Sequence, residues 1–555
     1  MSLQLLIVLI SIAAYLIVGV VVGKRVANTA DYYVSGRSAP TFLIAGTLFA
    51  SMLSTNGYTG DTGWAYGGNI VNIAVLNALC GVGFVVGVML FGRYLRRSET
   101  LTMPEYFKNR FNSPALQKIS GVIIVISITC YLLAVVTGVG YLLQELVDMP
   151  KWLAYVLAWA SFSLFTFYAG SKGTIITETM MFIVFIAGTI IAGPYMFRAA
   201  TEPTGQGGLS HLLENLMNNP EIMNPDGKFA HLLDYTGNFG GAGATGPFGA
   251  VMYGIIYGII WLLVVGISPW QAGRNMMARN EHVAIRSGAL ACIVIVIFLT
   301  YLYLEAISVH AMPHPEWLDA DSMSFEKVII WVYGNASVVP PVLGAIALAG
   351  IMAAGLSSAA TFLSLIGFSF TNDIFNFKFK DDKDQVRKTR ITMISFSVIA
   401  LLLAYLGFGG IRIVTYFAST IIAASWCIVA FGSVWSKKLT ARGAIWSMVT
   451  GFVVFIVLKC LHGFGLDGGV FKDFLDPFCV GLYASAAAAV LGSMGQSPTD
   501  HERQILKRMH TMPAQEKGQK EYKRDNVYAW ILIFGGIGWT CFLLFAWALP
   551  YNGFI

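Results

Sequence analysis

Long uninterrupted apolar stretches constrain this sequence more than any other feature. There are about fourteen of them, each with roughly the 20 residues or more that a helix needs to cross about 30 Å of hydrocarbon. Composition agrees, because 56% of the 555 residues are hydrophobic and 12% are charged, whereas about a quarter of the residues in a soluble domain are charged. The stretches are residues 3–23, 41–67, 71–95, 117–146, 151–171, 174–199, 247–271, 284–311, 338–370, 387–408, 411–436, 442–462, 475–494 and 527–549. The sequence therefore predicts an all-α, polytopic membrane protein with about fourteen transmembrane helices.

The distribution of Lys and Arg predicts the orientation of these helices. No Lys or Arg precedes the first run, and Lys24 and Arg25 follow it, so we expect a retained helix with an external N-terminus. Alternate connections, such as residues 378–390, then carry most of the positive charge, as cytoplasmic loops do. The external connections hold only scattered cations such as Lys151 and Arg412. We therefore predict that both termini are external.

Several polar segments connect the predicted helices. The external segments 200–246 and 312–337 are rich in Gly, Pro, Asn and Asp, which is typical of caps or gates rather than of separate domains. The cytoplasmic segment 495–526 has the character of a short amphipathic helix, to which we assign no catalytic role. The seven cysteines lie in or beside apolar runs without metal-ligand spacing, so we interpret them as packing residues.

The second apolar run is interrupted at the depth of the bilayer. It is apolar only up to Leu53, and a polar, glycine-rich stretch follows from Ser54 to Gly63. Backbone leaves helical geometry at that depth only where protein or a water-filled cavity surrounds it. We therefore predict a broken helix whose carbonyls and helix ends form a binding site. Close helix packing through glycines is the structural alternative.

The seventh run carries a similar interruption five spans later. Gly254, Gly258, Gly266 and Pro269 punctuate residues 247–271. Interrupted segments at the first position of two five-helix halves are typical of inverted-repeat transporters. This pattern predicts that runs two to six and runs seven to eleven are the two halves of one core.

Three small residues in the ninth run share one helical face. Ala354, Ser357 and Ser358 stand at positions i, i+3 and i+4, which are neighbours on a helix. Two hydroxyls and freed backbone carbonyls suit a hard cation such as sodium, which takes oxygen ligands. A serine-rich helix interface explains the same spacing, and Ser358 is able to hydrogen-bond back to the Ala354 carbonyl. Spacing alone leaves both interpretations open, and the broken second helix favours the cation site.

Four further motifs are spread along the chain: DYYVSGR at 31–37, TMPEYFKNRF at 102–111, GLSSAATFLSLIGFSFTNDIF at 355–375 and ARGAIWSMVTG at 441–451. Together they resemble the sodium:solute symporter family, whose members carry sugars, proline, pantothenate and sialic acid with sodium. The resemblance covers most of the chain and implies a LeuT-type core of ten helices in a five-plus-five inverted repeat. It divides the chain into an N-terminal helix and loop at 1–40, the core at 41–436, and three C-terminal helices at 437–555.

The resemblance also implies the ligands of a sodium ion. Matched residue by residue, they are backbone carbonyls of the broken helix and oxygens of the later helix, and they fall on Ala50, Leu53, Ala354, Ser357 and Ser358. Some family members bind a second sodium with an Asp that follows a Thr, together with further hydroxyls.

The positions equivalent to that second site are altered in this chain. They are occupied by Thr177, Glu178, Ala360 and Thr361, so one hydroxyl is lost and the carboxylate is longer. Three alternatives follow for Glu178. They are a second cation held with Thr361, a proton-coupling role, and a plain surface ion pair with Lys172.

The solute is expected near mid-membrane between runs two and seven, with contributions from runs four and eleven. The candidate solute ligands are Ser54, Thr55, Asn56, Tyr58, Asp61, Tyr131, Trp261, Ser268, Tyr416 and Ser419. Run four offers no Arg that would fix a carboxylate. Asp61 has no Lys or Arg in its own run to compensate its charge at that depth, which suggests an amine or another cationic or zwitterionic solute. A helix-capping Asp is the alternative.

These features predict a sodium-coupled symporter of the cytoplasmic membrane that moves a small organic solute into the cell. Its expected partners are the solute, Na+ and the lipid bilayer, and topology rather than nucleic acid explains the basic residues. A membrane-embedded solute sensor and a proton-coupled transporter are the alternatives. An enzyme is not expected, because the sequence contains no HExxH, GxSxG or clustered Cys and His.

Overall fold

The computed structural model describes residues 3–23, 33–147, 149–201, 211–212, 247–320, 322–375, 377, 379–407, 409–462, 476–514 and 516–548. Over these residues the secondary structure is helical, which confirms the predicted all-α class, and the one β-type contact is an isolated bridge between Ala39 and Ala278. Two backbone hydrogen bonds close this bridge, from Ala39 N to Met277 O (3.2 Å) and from Arg279 N to Ala39 O (3.0 Å). Most of the external segment 200–246 lies outside the described residues.

The longer helices follow the apolar runs. In chain order they are α1 Leu3–Gly23, α2 Thr41–Asn56, α3 Ile70–Gly87, α4 Met103–Phe111, α5 Pro114–Val147, α6 Lys151–Thr201, α7 Pro247–Ile267, α8 Glu281–Ser308, α9 Pro341–Phe368, α10 Asp382–Leu406, α11 Ile411–Trp435, α12 Ala441–His462, α13 Pro477–Ser493, α14 Asp500–His510 and α15 Lys520–Phe542. Polar side chains cap several of them. The Thr102 hydroxyl accepts from Glu105 N at the start of α4, and Asn280 accepts from Val283 N at the start of α8, as N-cap residues do.

Eleven helices among the described residues are long and apolar enough to cross a membrane, so the predicted number of fourteen is not confirmed. Three predicted spans account for the difference. The second run is divided into α2 and shorter α- and π-helical pieces that end at Asn69. Runs five and six are continuous in the 51 residues of α6. Run thirteen forms α13, whose 17 residues fall short of the ~20 that a span usually needs.

Burial separates central helices from peripheral ones. Nearly every residue of α9 from Ala347 to Leu363 is buried, and most of α11 is buried as well. In contrast, α1, α10 and α15 expose large apolar side chains such as Ile17 (63%), Leu406 (69%) and Phe534 (68%). An apolar outer surface of this kind is stable in lipid rather than in water. The core of the protein therefore lies around α9 and α11.

Helices α3 and α7 cross with almost no space between their backbones. A methyl group added at Gly87 would lie 2.4 Å from Gly266 Cα, and one added at Gly83 would lie 2.7 Å from Leu262 O. Small residues permit such close approach of two helices in a membrane. Helix α3, which follows the broken segment, is therefore packed tightly against α7.

Loops that the topology rule assigns to one side of the membrane contact one another. Arg97 forms an ion pair with Glu281 (2.8 Å), and it also donates to Met509 O (2.6 Å) near the end of α14. Helix α14 begins with a capping box at Thr499, which satisfies two free backbone N–H groups. The helix expected within segment 495–526 is therefore confirmed, and it closes this end of the bundle.

The segment 312–337 covers the second half of the broken helix at the opposite end. The Tyr66 hydroxyl donates to Asp319 Oδ1 (2.6 Å), and the Tyr66 ring stacks on His310 with 3.8 Å between centroids. His314 Nε2 pairs with the other carboxylate oxygen of Asp319 at 2.9 Å. The segment thus caps the broken helix, as the sequence predicts, and a hydrogen-bonded cluster fixes it there; its external side stays a prediction.

Candidate ion and solute sites

The break in the second span lies at Ser54. Its backbone angles are φ 39° and ψ −178°, and residues other than glycine rarely adopt positive φ. The predicted broken helix is therefore confirmed, at the residue directly after Leu53. The Leu53 carbonyl accepts a hydrogen bond from Gly57 N, but a carbonyl oxygen has a second lone pair. The turn from Ala50 to Leu53 thus ends at a break where backbone oxygens are able to face a ligand.

Two serine hydroxyls in α9 are buried without a protein partner. Ser357 and Ser358 are fully buried, and neither Oγ has a hydrogen-bond partner among the described residues, so the back-bond from Ser358 to Ala354 is not formed. Leaving a buried hydroxyl unpaired costs about 1–3 kcal/mol. A neighbouring pair of such hydroxyls favours a ligand site over plain helix packing.

Glycines bring α5 and α9 against the residue that follows the break. A methyl group added at Gly138 would lie 2.6 Å from Thr55 Cβ, and one added at Gly355 would lie 3.1 Å from Thr55 Cγ2. Ser357 and Ser358 follow Gly355 within one helical turn. The fold therefore brings the serine pair and the break into the same region, and Ala50, Leu53 and the two serines are all buried there.

The seventh span is interrupted as predicted. Helix α7 ends at Ile267, and the buried Ser268 hydroxyl beyond it has no protein partner. With its amide nitrogen donating, Gln271 bonds to Leu48 O (3.3 Å), and its amide oxygen accepts from Met52 N (3.2 Å). These contacts reach the turn of α2 just before its break, so the two interrupted spans meet.

A cavity of about 560 Å³ lies between α5, α7, α11 and α12, and its lining includes Cys130, Tyr257, Arg412 and Tyr416. The Tyr416 ring is 3.9 Å from the Tyr257 ring and 6.2 Å from the Trp261 ring, measured between centroids. Small-molecule sites are typically apolar and aromatic with a few polar groups, and enclose about 300–1,000 Å³. The cavity therefore has the size and character of a site for a small organic molecule.

Asp61 obtains a cationic partner from another span, although its own run contains no Lys or Arg. Arg412 Nη1 lies 2.6 Å from Asp61 Oδ1, and the two side chains are 10% and 15% exposed. The guanidinium also lies over the Trp64 ring at 3.6 Å and over the Tyr416 ring at 5.4 Å. The charge of Asp61 is therefore compensated within the protein, and its presence alone no longer indicates a cationic solute.

Other predicted solute ligands are engaged elsewhere. Tyr58 is fully buried, and its hydroxyl lies 3.1 Å from Phe185 O and 3.0 Å from Thr189 Oγ1, which ties the broken helix to α6. The Ser54 hydroxyl accepts from Asn56 N (3.1 Å). These three residues are not part of the cavity lining.

Two more of the predicted ligands lie at other positions along the bundle. Tyr131 stands at the break after α7, with its ring 5.6 Å from Trp270 and 4.5 Å from Phe362. Ser419 is fully buried in α11, and its hydroxyl has no protein partner. Of the predicted set, Tyr416 lines the cavity directly, while Trp261 and Asp61 contact residues that line it.

The surface ion-pair alternative for Glu178 is wrong. Glu178 is fully buried, and its carboxylate pairs with Arg274 at 3.0 Å. The hydroxyls of Thr361 (2.6 Å) and Thr47 donate to the two carboxylate oxygens. The Lys172 side chain, the partner considered from the sequence, lies outside the described part of the chain.

Sequence reasoning missed both pairings of a carboxylate with an arginine, Asp61 with Arg412 and Glu178 with Arg274. The topology rule assigns Arg412 to an external connection and Arg274 to a cytoplasmic one. A signal was available for Arg412, because it stands inside the apolar run 411–436, and an ionised side chain at such a position needs a partner. For Arg274, which lies beyond run seven, no comparable signal exists.

Comparison with known proteins identifies the family. Residues 32–451 match the sequence model of the sodium:solute symporter family. The chain belongs to this family. The symporter is 23% identical over 482 residues to the sodium/pantothenate symporter of Escherichia coli, covering 82% of this chain and 91% of that protein. It is 22% identical over 525 residues to the sodium/proline symporter of Haemophilus influenzae, covering 93% and 98%.

Solved structures show the same fold. A Na+-coupled sialic acid symporter superposes with a TM-score of 0.67 at 15% identity, covering 90% of this symporter and 99% of that chain. Mhp1, a nucleobase-cation-symport-1 family transporter, gives a TM-score of 0.52 at 11% identity, covering 91% and 100%. The fold is therefore of the LeuT type. The protein is a multi-pass membrane transporter and not an enzyme, and sodium is the coupling ion that its family implies.

Proposed function

We propose that this symporter carries a small organic solute into the cell by alternating access, driven by a sodium ion bound at Ala50, Leu53, Ala354, Ser357 and Ser358. The observation that carries the proposal is the pair of buried serine hydroxyls without a protein partner, beside the break at Ser54. Sodium is a hard cation that takes oxygen ligands. Two hydroxyls and nearby backbone carbonyls provide such ligands without a carboxylate.

The transport core in this proposal is residues 41–436, arranged as a five-plus-five inverted repeat. Residues 1–40 and 437–555 then add one helix before the core and three after it. The two interrupted spans that meet through Gln271 support this division, because such spans occupy the first position of each half in inverted-repeat transporters.

The proposed solute is zwitterionic and occupies the cavity beside Arg412 and Tyr416. Within the part of the chain that the structure describes, Arg412 Nη2 is buried without a partner, so it is able to donate to a carboxylate oxygen of the solute. Asp61 accepts from Arg412 and from the Asn56 side chain, but carboxylate oxygens have further lone pairs that are able to accept from an ammonium group. An ion pair at the site suits a solute that carries both charges, and a purely cationic solute has no advantage there.

Uptake into proteoliposomes under an imposed sodium gradient tests the proposal. Replacing Ser357 and Ser358 together with Ala removes both hydroxyl ligands, so the sodium concentration for half-maximal uptake should rise by about tenfold or more, equivalent to about 1.4 kcal/mol. Ser395→Ala, an exposed serine of α10, is the control and should behave as wild type. Unchanged sodium dependence in the double variant would contradict the proposed ion site.

The same assay separates the alternative functions. A panel of amino acids, each compared with its decarboxylated amine and its carboxamide, tests the zwitterionic solute. A proton gradient that replaces the sodium gradient tests proton coupling. A sensor would bind a panel member and yet accumulate none of it inside the vesicles.

A further inference from the structure

Arg274 completes a cluster of oxygen atoms around Glu178. Its Nη2 lies 3.0 Å from Glu178 Oε1 and also donates to Thr361 Oγ1. Thr361 in turn donates to the same carboxylate oxygen at 2.6 Å, and Thr47 donates to the other oxygen. The four residues are at most 5% exposed. Within the described part of the chain, Arg274, Thr361 and Thr47 are therefore the groups that hydrogen-bond to this carboxylate.

The four side chains come from four separate elements. Thr47 belongs to α2 before its break, Glu178 to α6, and Arg274 to the segment after the second break. Thr361 belongs to α9 and stands three residues beyond Ser358, so it continues the face of the serine pair. A carboxylate with two hydroxyls is an oxygen set that a hard monovalent cation accepts. In this chain the position beside it is held by a guanidinium.

The charge balance of the cluster excludes an additional ion. One carboxylate and one guanidinium already sum to zero, and the other two side chains of the cluster are neutral hydroxyls. A sodium ion added beside Glu178 would place two positive charges against one buried carboxylate. The low dielectric of the interior strengthens that repulsion, and the ion would also lose its hydration.

We propose that Arg274 serves as a built-in cation in this cluster, so that each chain binds a single sodium ion. The inference rests on the proposed function, because it takes the serine pair as the site of that ion. Arg274 and Thr361 also line a crevice of about 50 Å³, which has room for a few water molecules. A small ion is therefore able to reach the cluster once the guanidinium is removed.

Binding of radioactive sodium to the purified full-length chain counts the ions without knowledge of the solute. The wild-type chain is expected to saturate at one ion. Arg274→Gln keeps the carboxylate and both hydroxyls, so its count should rise to two. Arg274→Lys keeps a cation at the site and is the matched control, expected to bind one. In the double variant Arg274→Gln, Glu178→Gln the carboxylate is lost as well, and the count should return to one.

The wild-type count decides the inference even if a variant fails to fold. Two ions on the wild-type chain overturn it and leave the proposed function standing. No bound sodium overturns the proposed function, and the inference falls with it. A count of one on Arg274→Gln also overturns the inference, provided that size-exclusion elution and helical circular dichroism match the wild type.

Discussion

Among the described residues, Asp61 pairs with Arg412 and Glu178 pairs with Arg274 inside this bundle. Removing a charged group from water costs several kcal/mol, and the attraction between partners offsets this only when further contacts satisfy both groups. Arg412 obtains such contacts from two aromatic rings. The charge of each residue in a pair is therefore compensated mainly by its partner, so the loss of one partner leaves the other charge buried and uncompensated.

Arg412→Gln is expected to destabilise the protein strongly, because it leaves Asp61 buried without its cation. Breaking a buried pair in this way costs about 3–5 kcal/mol. The double variant Arg412→Gln, Asp61→Asn removes both charges and should recover most of the lost thermal stability. The midpoint of thermal unfolding of the purified protein measures both effects.

The control for this experiment is Arg503→Gln. Arg503 and its partner Asp500 are 61% and 91% exposed and 3.9 Å apart, and exposed pairs of this kind contribute about 0–1 kcal/mol. Equal midpoints for Arg412→Gln and for the double variant would show that the two charges do not stabilise one another.

Residue patterns were informative where they were local. Ala354, Ser357 and Ser358 share a face because of helical geometry alone, so their common burial followed from spacing. The pairing of the two arginines with carboxylates did not follow from spacing, because Arg412 lies 351 residues from Asp61 and Arg274 lies 96 residues from Glu178. Only the folded chain brings such partners together.

Whole elements were predicted best where composition changes sharply along the chain. The polar stretch after Leu53 and the Ser-Pro step after Ile267 both interrupt helices as expected. The boundary between runs five and six is not marked by a break in the helix, because α6 continues through it, although Gly173–Thr201 is a candidate span that matches run six. Glycine costs a helix interior only about 1 kcal/mol, so Gly170 and Gly173 do not end the helix.

Gly87→Leu is expected to disrupt the contact between α3 and α7. Its side chain would have to occupy space now filled by Gly266, and overpacking of this kind typically costs about 1–3 kcal/mol. The expected result is a lower midpoint of thermal unfolding. Gly538→Leu in α15 is the matched control. A methyl group added at Gly538 would meet no neighbouring atom of the described residues within 4 Å. The midpoint of this variant should therefore be unchanged or higher. Two variants with equal midpoints would contradict the close crossing.

At the scale of the whole molecule, the segment 312–337 caps the end of the bundle where it contacts Tyr66. Burial lowers the pKa of His314, but its hydrogen bonds to Asp319 and to Met312 O outweigh burial and raise the pKa above the usual value. Burial raises the pKa of Asp319, but hydrogen bonds from His314 and Tyr66 outweigh it, so that pKa is lowered. Each shift records a contribution of the cap to stability.

The stability of this cap should depend on pH. The His314 contribution is fully present below its unfolded pKa of about 6.5 and is lost as pH rises through the raised folded value. The Asp319 contribution is present above about pH 4 and is lost as pH falls through the lowered value. Protection of residues 312–325 from hydrogen exchange, corrected for the intrinsic rate, should therefore be greater at about pH 6 than at about pH 8.

His314→Asn should remove most of that pH dependence. The control is His501→Asn, at the opposite end of the bundle, where the ring contacts Asn109 O (2.8 Å), and it should leave the protection of the cap as in the wild type. Equal protection of the wild-type cap at both pH values would show that the His314–Asp319 pair does not stabilise it.

The bridge between Ala39 and Ala278 links the chain just before the first broken helix to the chain just after the second. Its hydrogen bonds are made entirely by main-chain atoms. A displacement of the chain at the start of α2 is therefore transmitted to the chain that follows the second interrupted span. Replacing side chains one at a time leaves such a linkage intact, because no side chain forms it. A change that deletes a backbone N–H, as proline does, reaches it directly. The amino-acid sequence does not reveal such a connection, since almost any residue at these positions supplies the same backbone N–H and C=O groups.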